Sequence, residues 1–219
     1  CSHNKCSFCE MYKDIRFDIK PESVIFRDID YAARHMKHMK RLFICDGDAL
    51  ILPQKRLIKI LHEINKKLPW LERIGIYANV KSLIRKTEEE LILLKKLGLG
   101  IVYLGLETGD DVTRAKINKG SDSEAVISQA KKCVKSGISL SITDLLGIAG
   151  KERSLIHARE TGRVLSAINP DFVGALSLML TPGTPLFKDH KEGTFILPDS
   201  TGMLEELREM ILHTNLTGG

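Results

Sequence analysis

Five short runs dense in aliphatic, β-branched and aromatic residues punctuate this chain, separated by longer stretches in which apolar positions recur with helical spacing. The runs are RLFIC (41–45), RIGIYA (73–78), GIVYLGL (100–106), ISLSITDLL (138–146) and DFVGALSL (171–178). Their starts lie roughly 30 residues apart, the length of one strand-plus-helix unit. Helix is predicted over 21–39, 53–68, 87–97, 121–136 and 152–168. Several boundaries carry their own signals. Pro53 suits a first helical turn, where its missing N–H costs nothing, and Thr87 with Glu90 forms a capping-box pattern. Gly98 and Gly137 follow predicted helix ends, where a left-handed terminating residue is wanted.

Strand and helix in alternation give a parallel sheet with right-handed crossovers, hence an α/β fold. The helix over 21–39 has no strand before it, and the chain starts on Cys1 rather than methionine. It reads as clipped just after an opening strand. With that strand restored there are six βα units, too few for the eight of a closed barrel, so a partial (β/α)6 TIM-like barrel is expected. Residues 1–200 form this core. Residues 201–219 are expected to hold a terminal helix, over 202–215, leading into an accessory region. In such a fold the segments leaving the carboxyl ends of the strands build the site.

Composition narrows the class without naming a chemistry. The chain has 219 residues, 43% hydrophobic and 28% charged, which is ordinary for a soluble globular protein and excludes a disordered one. No apolar run reaches the roughly 18 residues that would span a bilayer, and no signal-peptide pattern opens the chain, so no membrane partner and a cytoplasmic location are expected. The net charge of +5 includes a basic run, HMKHMKR (35–41). With aromatics at only 5%, that run reads first as a solvated helix face, and RNA stays an alternative partner.

Cysteine placement changes the picture. Three of the five cysteines fall at positions 1, 6 and 9, while Cys45 and Cys133 stand alone and read as small buried residues. An odd count crowded at one end argues for a metal centre over a disulfide framework. Three thiolates leave one corner of a four-iron cluster open, whereas zinc would need His3 as a fourth ligand from within the same loop.

The strand-exit segments are CDGDAL (45–50), YANVKS (77–82), GLETGDD (105–111), LLGIAGKE (145–152) and LMLTPGTPL (178–186). Together with the C-x4-C-x2-C triplet, and Phe8 directly before its last cysteine, they make the chain resemble the radical S-adenosylmethionine (SAM) enzymes. The usual spacing there is C-x3-C-x2-C, one residue shorter. The YLGLETG stretch (103–109) is similar to the subgroup of oxygen-independent coproporphyrinogen oxidase and the methylthiotransferases.

The resemblance implies a [4Fe-4S] cluster on Cys1, Cys6 and Cys9, completed by SAM. It places Asp46, Gly47 and Asp48 at the SAM amine, Glu107 beside the methionine and ribose, and Gly147 and Gly150 beside the adenine, whose flat ring also needs an apolar slot that Leu145 and Ile148 are placed to flank. It further implies one-electron cleavage of SAM to a 5′-deoxyadenosyl radical that takes hydrogen from a substrate, with flavodoxin or ferredoxin as reductant. The SAM carboxylate needs a cation, and Arg114 and Lys119 follow the same strand. Tyr12, Asn79 and Thr181 stand where substrate would approach. The same residues have plainer readings: a turn at 46–48, a satisfied carboxylate at Glu107, a strand terminator at the glycines. An electron-transfer or zinc module without SAM chemistry is the rival class, and the substrate is not specified by these motifs.

Overall fold

The structure, a computed structural model, describes residues 1–217. In chain order the elements are α1 (Glu22–His35), β1 (Arg41–Ile44), a 3-10 turn (Ala49–Ile51), α2 (Gln54–Lys67), β2 (Arg73–Ala78), α3 (Val80–Ile84), α4 (Glu88–Lys96) and β3 (Leu99–Glu107). There follow α5 (Asp111–Lys116), α6 (Ser123–Lys135), β4 (Ser139–Leu146), α7 (Gly150–Ile168), β5 (Phe172–Ser177), α8 (Pro185–Lys191) and α9 (Ser200–Leu212). The strands form one sheet in sequence order, β1-β2-β3-β4-β5, with parallel pairing. This is the α/β architecture expected from the pattern, and each predicted strand is present within a residue of its predicted ends.

The chain divides into two compact units. The first comprises Cys1–Ser2, Phe17–Leu104 and Lys131–Leu140, and the second His3–Arg16, Gly105–Ala130 and Ser141–Gly219. In the first unit, Ile74, Ile76 and Ala78 of β2 and Val102 and Leu104 of β3 alternate into a buried layer, as the period of a strand requires. Leu57, Ile60, Leu61 and Ile64 present one buried stripe of α2, at helical spacing. The opposite face of the sheet carries Phe43 of β1, Tyr77 of β2 and Tyr103 of β3, whose rings meet edge-on with centroids 4.7–5.9 Å apart. Gly75 lies opposite Phe43 in the register, and a Cβ there would stand 2.9 Å from the Phe43 ring.

Helix boundaries follow from local chemistry. Thr87 accepts from the Glu90 N–H while the Glu90 carboxylate accepts from the Thr87 N–H, so the predicted capping box forms. Gly98 and Gly137 take positive φ, +94° and +79°, at the helix ends where they were expected. The first helix is shorter than predicted. It ends at His35, where Met36 leaves helical geometry at φ −122°, so residues 36–40 of the basic run form an exposed connection between α1 and β1, not a helix face. Cys133 is buried as expected, but Cys45 is exposed, because it follows the last paired residue of β1. Among the described residues no helix is long and apolar enough to cross a membrane.

In the second unit α9 lies along α7. A Cβ on Gly162 of α7 would stand 2.8 Å from the Met210 carbonyl oxygen, so the two backbones approach as closely as glycine permits.

Candidate active site

Among the described residues five non-glycine residues have positive φ; Asn4 lies in the cysteine loop, Asp46 and Glu107 in strand-exit segments, and Asn118 and Asn169 just after α5 and α7. Asn and Asp tolerate that conformation, whereas for glutamate it is uncommon, and such backbone concentrates at functional sites. Glu107, at φ 63°, ends β3 and turns its carboxylate back over Gly105. There its Oε1 accepts from Lys119 Nζ at 2.7 Å, and both side chains are largely buried, at 12% and 14% exposure. Any side chain at 105 would collide with the pair, since a Cβ would stand 2.3 Å from Glu107 Oε1.

Arg114, one of two cations considered for a carboxylate ligand, is committed elsewhere. It is 1% exposed and donates to the carbonyls of Leu106, Thr108 and Ser121 and to the Ser121 hydroxyl, each at 2.8–2.9 Å. Four of its five donors are thereby used inside the protein. The expectation that it holds a ligand is corrected to a structural role, and Lys119 is the cation left at this junction.

The second unit also holds the cysteine loop from His3 onward. The Ser7 N–H donates to the Ile117 carbonyl at 3.0 Å, and the Leu186 N–H donates to the Ser7 carbonyl at 3.0 Å. Phe8 packs on an apolar cluster of Ile117, Ile148, Leu178 and Leu186, with Leu145 at its margin. Tyr12 accepts from the Asn4 side chain through its carbonyl, closing the loop on itself. His3 donates from Nε2 to the Asn118 carbonyl at 2.6 Å and lies over Gly120, so that nitrogen is not free for zinc. Burial pushes the Cys6 thiol up, against the pull of nearby Lys119. Cys1, Cys6, Cys9 and Cys45 are free thiols.

The glycine turn after β4 is shaped by the protein's own later segments. Gly147 and Gly150 have φ of +83° and +69°. A Cβ on Gly147 would meet Met203 and Leu197 at 3.0–3.1 Å, and one on Gly150 would meet Phe195 at 3.2 Å. Ile148 is 1% exposed within the apolar cluster. Thr181 is exposed, and its carbonyl accepts from Thr184, which caps α8. Gly183 brings this turn within van der Waals reach of Glu10.

In the first unit the acidic segment after β1 is built around Asp48, which is 3% exposed. Its Oδ2 accepts from Asn79 Nδ2 at 2.8 Å and from the Ser2 hydroxyl. Burial raises the Asp48 carboxyl above the ordinary aspartate value, and hydrogen bonding from Ser2, Ser82 and the Asn79 backbone opposes that rise. Asn79, expected as a substrate contact, also forms a capping box with Ser82 at the start of α3, so its side chain serves the fold first. Asp46 is exposed and Gly47 half-buried.

A family model described as the radical SAM superfamily matches residues 1–157, a stretch that includes all three clustered cysteines and the exits of β1 to β4. The chain belongs to the radical SAM superfamily. Among solved structures it is similar to coproporphyrinogen III oxidase (HemN) from Escherichia coli, with a TM-score of 0.69, 15% identity, and 96% of this chain and 49% of that one covered. Methylornithine synthase (PylB) matches with a TM-score of 0.61 at 20% identity, over 97% of this chain and 60% of that one. The radical SAM methyltransferase TsrM from Kitasatospora setae, solved with cobalamin and a [4Fe-4S] cluster, matches with a TM-score of 0.66 at 18% identity, over 84% and 36%. The chain thus spans about half the length of the HemN chain. No curated protein matches the sequence significantly.

Radical SAM enzymes use a [4Fe-4S] cluster with SAM. Three unpaired, half-buried thiols within nine residues suit three irons of such a cluster in number and in softness. Among the described residues no three His, Cys, Asp or Glu side chains are gathered as a metal site by themselves. The features that sequence reasoning missed are supporting ones. Thr108, Asp110, Arg153, His157 and Glu206 fix the junction segments, and a single polar residue in an amphipathic helix gives no signal of such a task.

Proposed function

We propose that this chain is the catalytic core of a radical SAM enzyme, with Cys1, Cys6 and Cys9 as cluster ligands. The observation that carries this reading is the family match over residues 1–157, which spans the cysteine triplet and four strand exits together. When bound, the cluster and SAM supply one-electron cleavage of a carbon–sulfur bond and, through it, removal of a hydrogen atom from substrate.

The chain's own residues hold and shield. Phe8 fixes the third cysteine by anchoring its neighbour in the apolar cluster, and the backbone bonds of Ser7 fix the loop between Cys6 and Cys9. The Lys119 ammonium and Glu107 carboxylate face each other at 2.7 Å, which suits them to exchange partners with the carboxylate and ammonium of an amino acid group. Asp48 offers a further buried carboxylate for an ammonium or hydroxyl. Leu145 and Ile148 supply an apolar wall for adenine beside the glycine turn. Tyr12 and Thr181 are the substrate-side candidates. A small flavodoxin or ferredoxin is the expected electron donor, and unpaired thiols with an oxygen-sensitive cluster suit the cytoplasm.

Iron and sulfide analysis after anaerobic reconstitution tests the ligand set. The wild-type chain is expected to take up four irons per chain and to show a reduced-cluster EPR signal that shifts on adding SAM. Cys6→Ala is expected to lose the cluster, and retention of full iron content by that variant would contradict the assignment.

A further inference from the structure

Two of the segments assigned above to SAM, the turn after β3 and the turn after β4, are tied to helices of the same unit by side chains that the cofactor chemistry does not use. On one side, Thr108 follows Glu107, and its hydroxyl lies 2.7 Å from His157 Nδ1. The Gly109 N–H donates to Thr161 at 2.9 Å, and Arg153 holds both oxygens of Asp110 at 2.9 Å. His157, Thr161 and Arg153 all belong to α7. On the other side, Glu206 of α9 accepts the Gly147 N–H at 2.6 Å and also accepts from the Ser154 hydroxyl. The Lys151 N–H donates to the Ile196 carbonyl at 2.8 Å.

Ser154 is itself a residue of α7, and a second side-chain contact from that helix also meets Glu206. His157 Nε2 stands 3.3 Å from Glu206 Oε1, with both side chains 0% exposed. Glu206 Oε1 is the same oxygen that accepts from Gly147. His157 Nε2 makes no hydrogen bond among the described residues, so its electrostatic interaction with Glu206 is its outlet. Buried polar groups in such an arrangement are costly to leave unpaired, and the low-dielectric surroundings make each depend on the others. Asp144, a second acid that interacts with His157, is 0% exposed, and it adds to the demand for a partner at the imidazole.

We propose that His157 and Glu206 form a positioning pair that couples the β3 exit to the β4 glycine turn, so that the terminal helix α9 sets the geometry of the SAM-binding segments. The inference rests on the cofactor reading given above, and neither residue touches a reacting atom. If the pair couples the turns, a change at His157, which touches Thr108 and not Gly147, must be felt at Gly147.

Hydrogen–deuterium exchange on the full chain without SAM reads this directly. In the Glu206→Ala variant, exchange over 145–150 should accelerate about tenfold or more, the loss of one bond to a charged acceptor. In His157→Phe the same segment should also accelerate, together with 107–110, while the centre of α7 stays protected. Glu206→Gln, which keeps an acceptor for Gly147, should preserve protection there, and it gives a reading if the alanine variant does not fold. Titration of SAM into the reconstituted chain should show Kd raised about tenfold in Glu206→Ala and nearly restored in Glu206→Gln. Unchanged exchange over 145–150 in His157→Phe, or unchanged SAM affinity in folded Glu206→Ala, overturns the proposal. Wild-type protein that takes up no SAM overturns the cofactor reading, and with it the purpose assigned to the pair, while the ligand-free exchange pattern still decides the coupling itself.

Discussion

A carboxyl group fully shut off from solvent is unusual, and Asp144 is one. Burial is the main cause that pushes it from 3.8 up to about 7, with His157 pulling it down and Glu107 and Glu206 pushing it further up. Between those two values the folded chain keeps a proton that the unfolded chain releases. Stability therefore falls as pH rises through that window and stays low above it, by up to about 4 kcal/mol. The urea midpoint should be lower at pH 8 than at pH 5, and Asp144→Asn should flatten that dependence; an equal slope in the variant would place the titration elsewhere. Arg114 makes a second residue-scale prediction. Replacing it with methionine leaves several buried carbonyls without donors and should cost about 3 kcal/mol. An Arg114→Met chain that kept its melting midpoint but lost SAM affinity would return the residue to the carboxylate role. From sequence, Arg114 and Lys119 were indistinguishable, because both follow β3 and nothing in residue type says that one turns inward to three carbonyls.

Elements were legible where periodicity or capping is strong. The alternation in RIGIYA and the Thr87–Glu90 box each correspond to a feature present in the structure. The short helices α3, α5 and α8 were not legible, since 5 to 7 residues carry too few apolar positions to show a period. They depend instead on caps: Asn79 for α3, Asp110 for α5 and Thr184 for α8. Asn79 illustrates the ambiguity, because a side chain at a strand exit reads as a ligand contact until its bonds to Ser82 and Asp48 are seen. The close approach of α7 and α9 was likewise invisible, as it depends on Gly162 lying under Met210 and His213. Gly162→Ala should force those helices apart and cost about 1–3 kcal/mol, read as a lowered thermal midpoint. A midpoint equal to wild type would show that the interface can yield.

The whole chain combines a parallel five-stranded sheet, a cysteine triplet in one loop and acidic or glycine-rich strand exits, and it belongs to a family whose chemistry depends on the cluster and SAM together. What the sheet and its exits determine is the cofactor end of the site. For the substrate end, Tyr12 and Thr181 are proposals that no motif specifies, and the chain spans about half of the HemN chain it resembles. The net charge of +5 and the exposed run at 35–41 make one further expectation testable: if RNA is the substrate, its binding should weaken steeply with salt. The most direct test of the central claim is the formation of 5′-deoxyadenosine by the anaerobically reconstituted, reduced protein. The nucleoside should accumulate only when SAM, reductant and all three of Cys1, Cys6 and Cys9 are present. A fully loaded, reducible cluster that yields none, with an EPR signal indifferent to SAM, would contradict it.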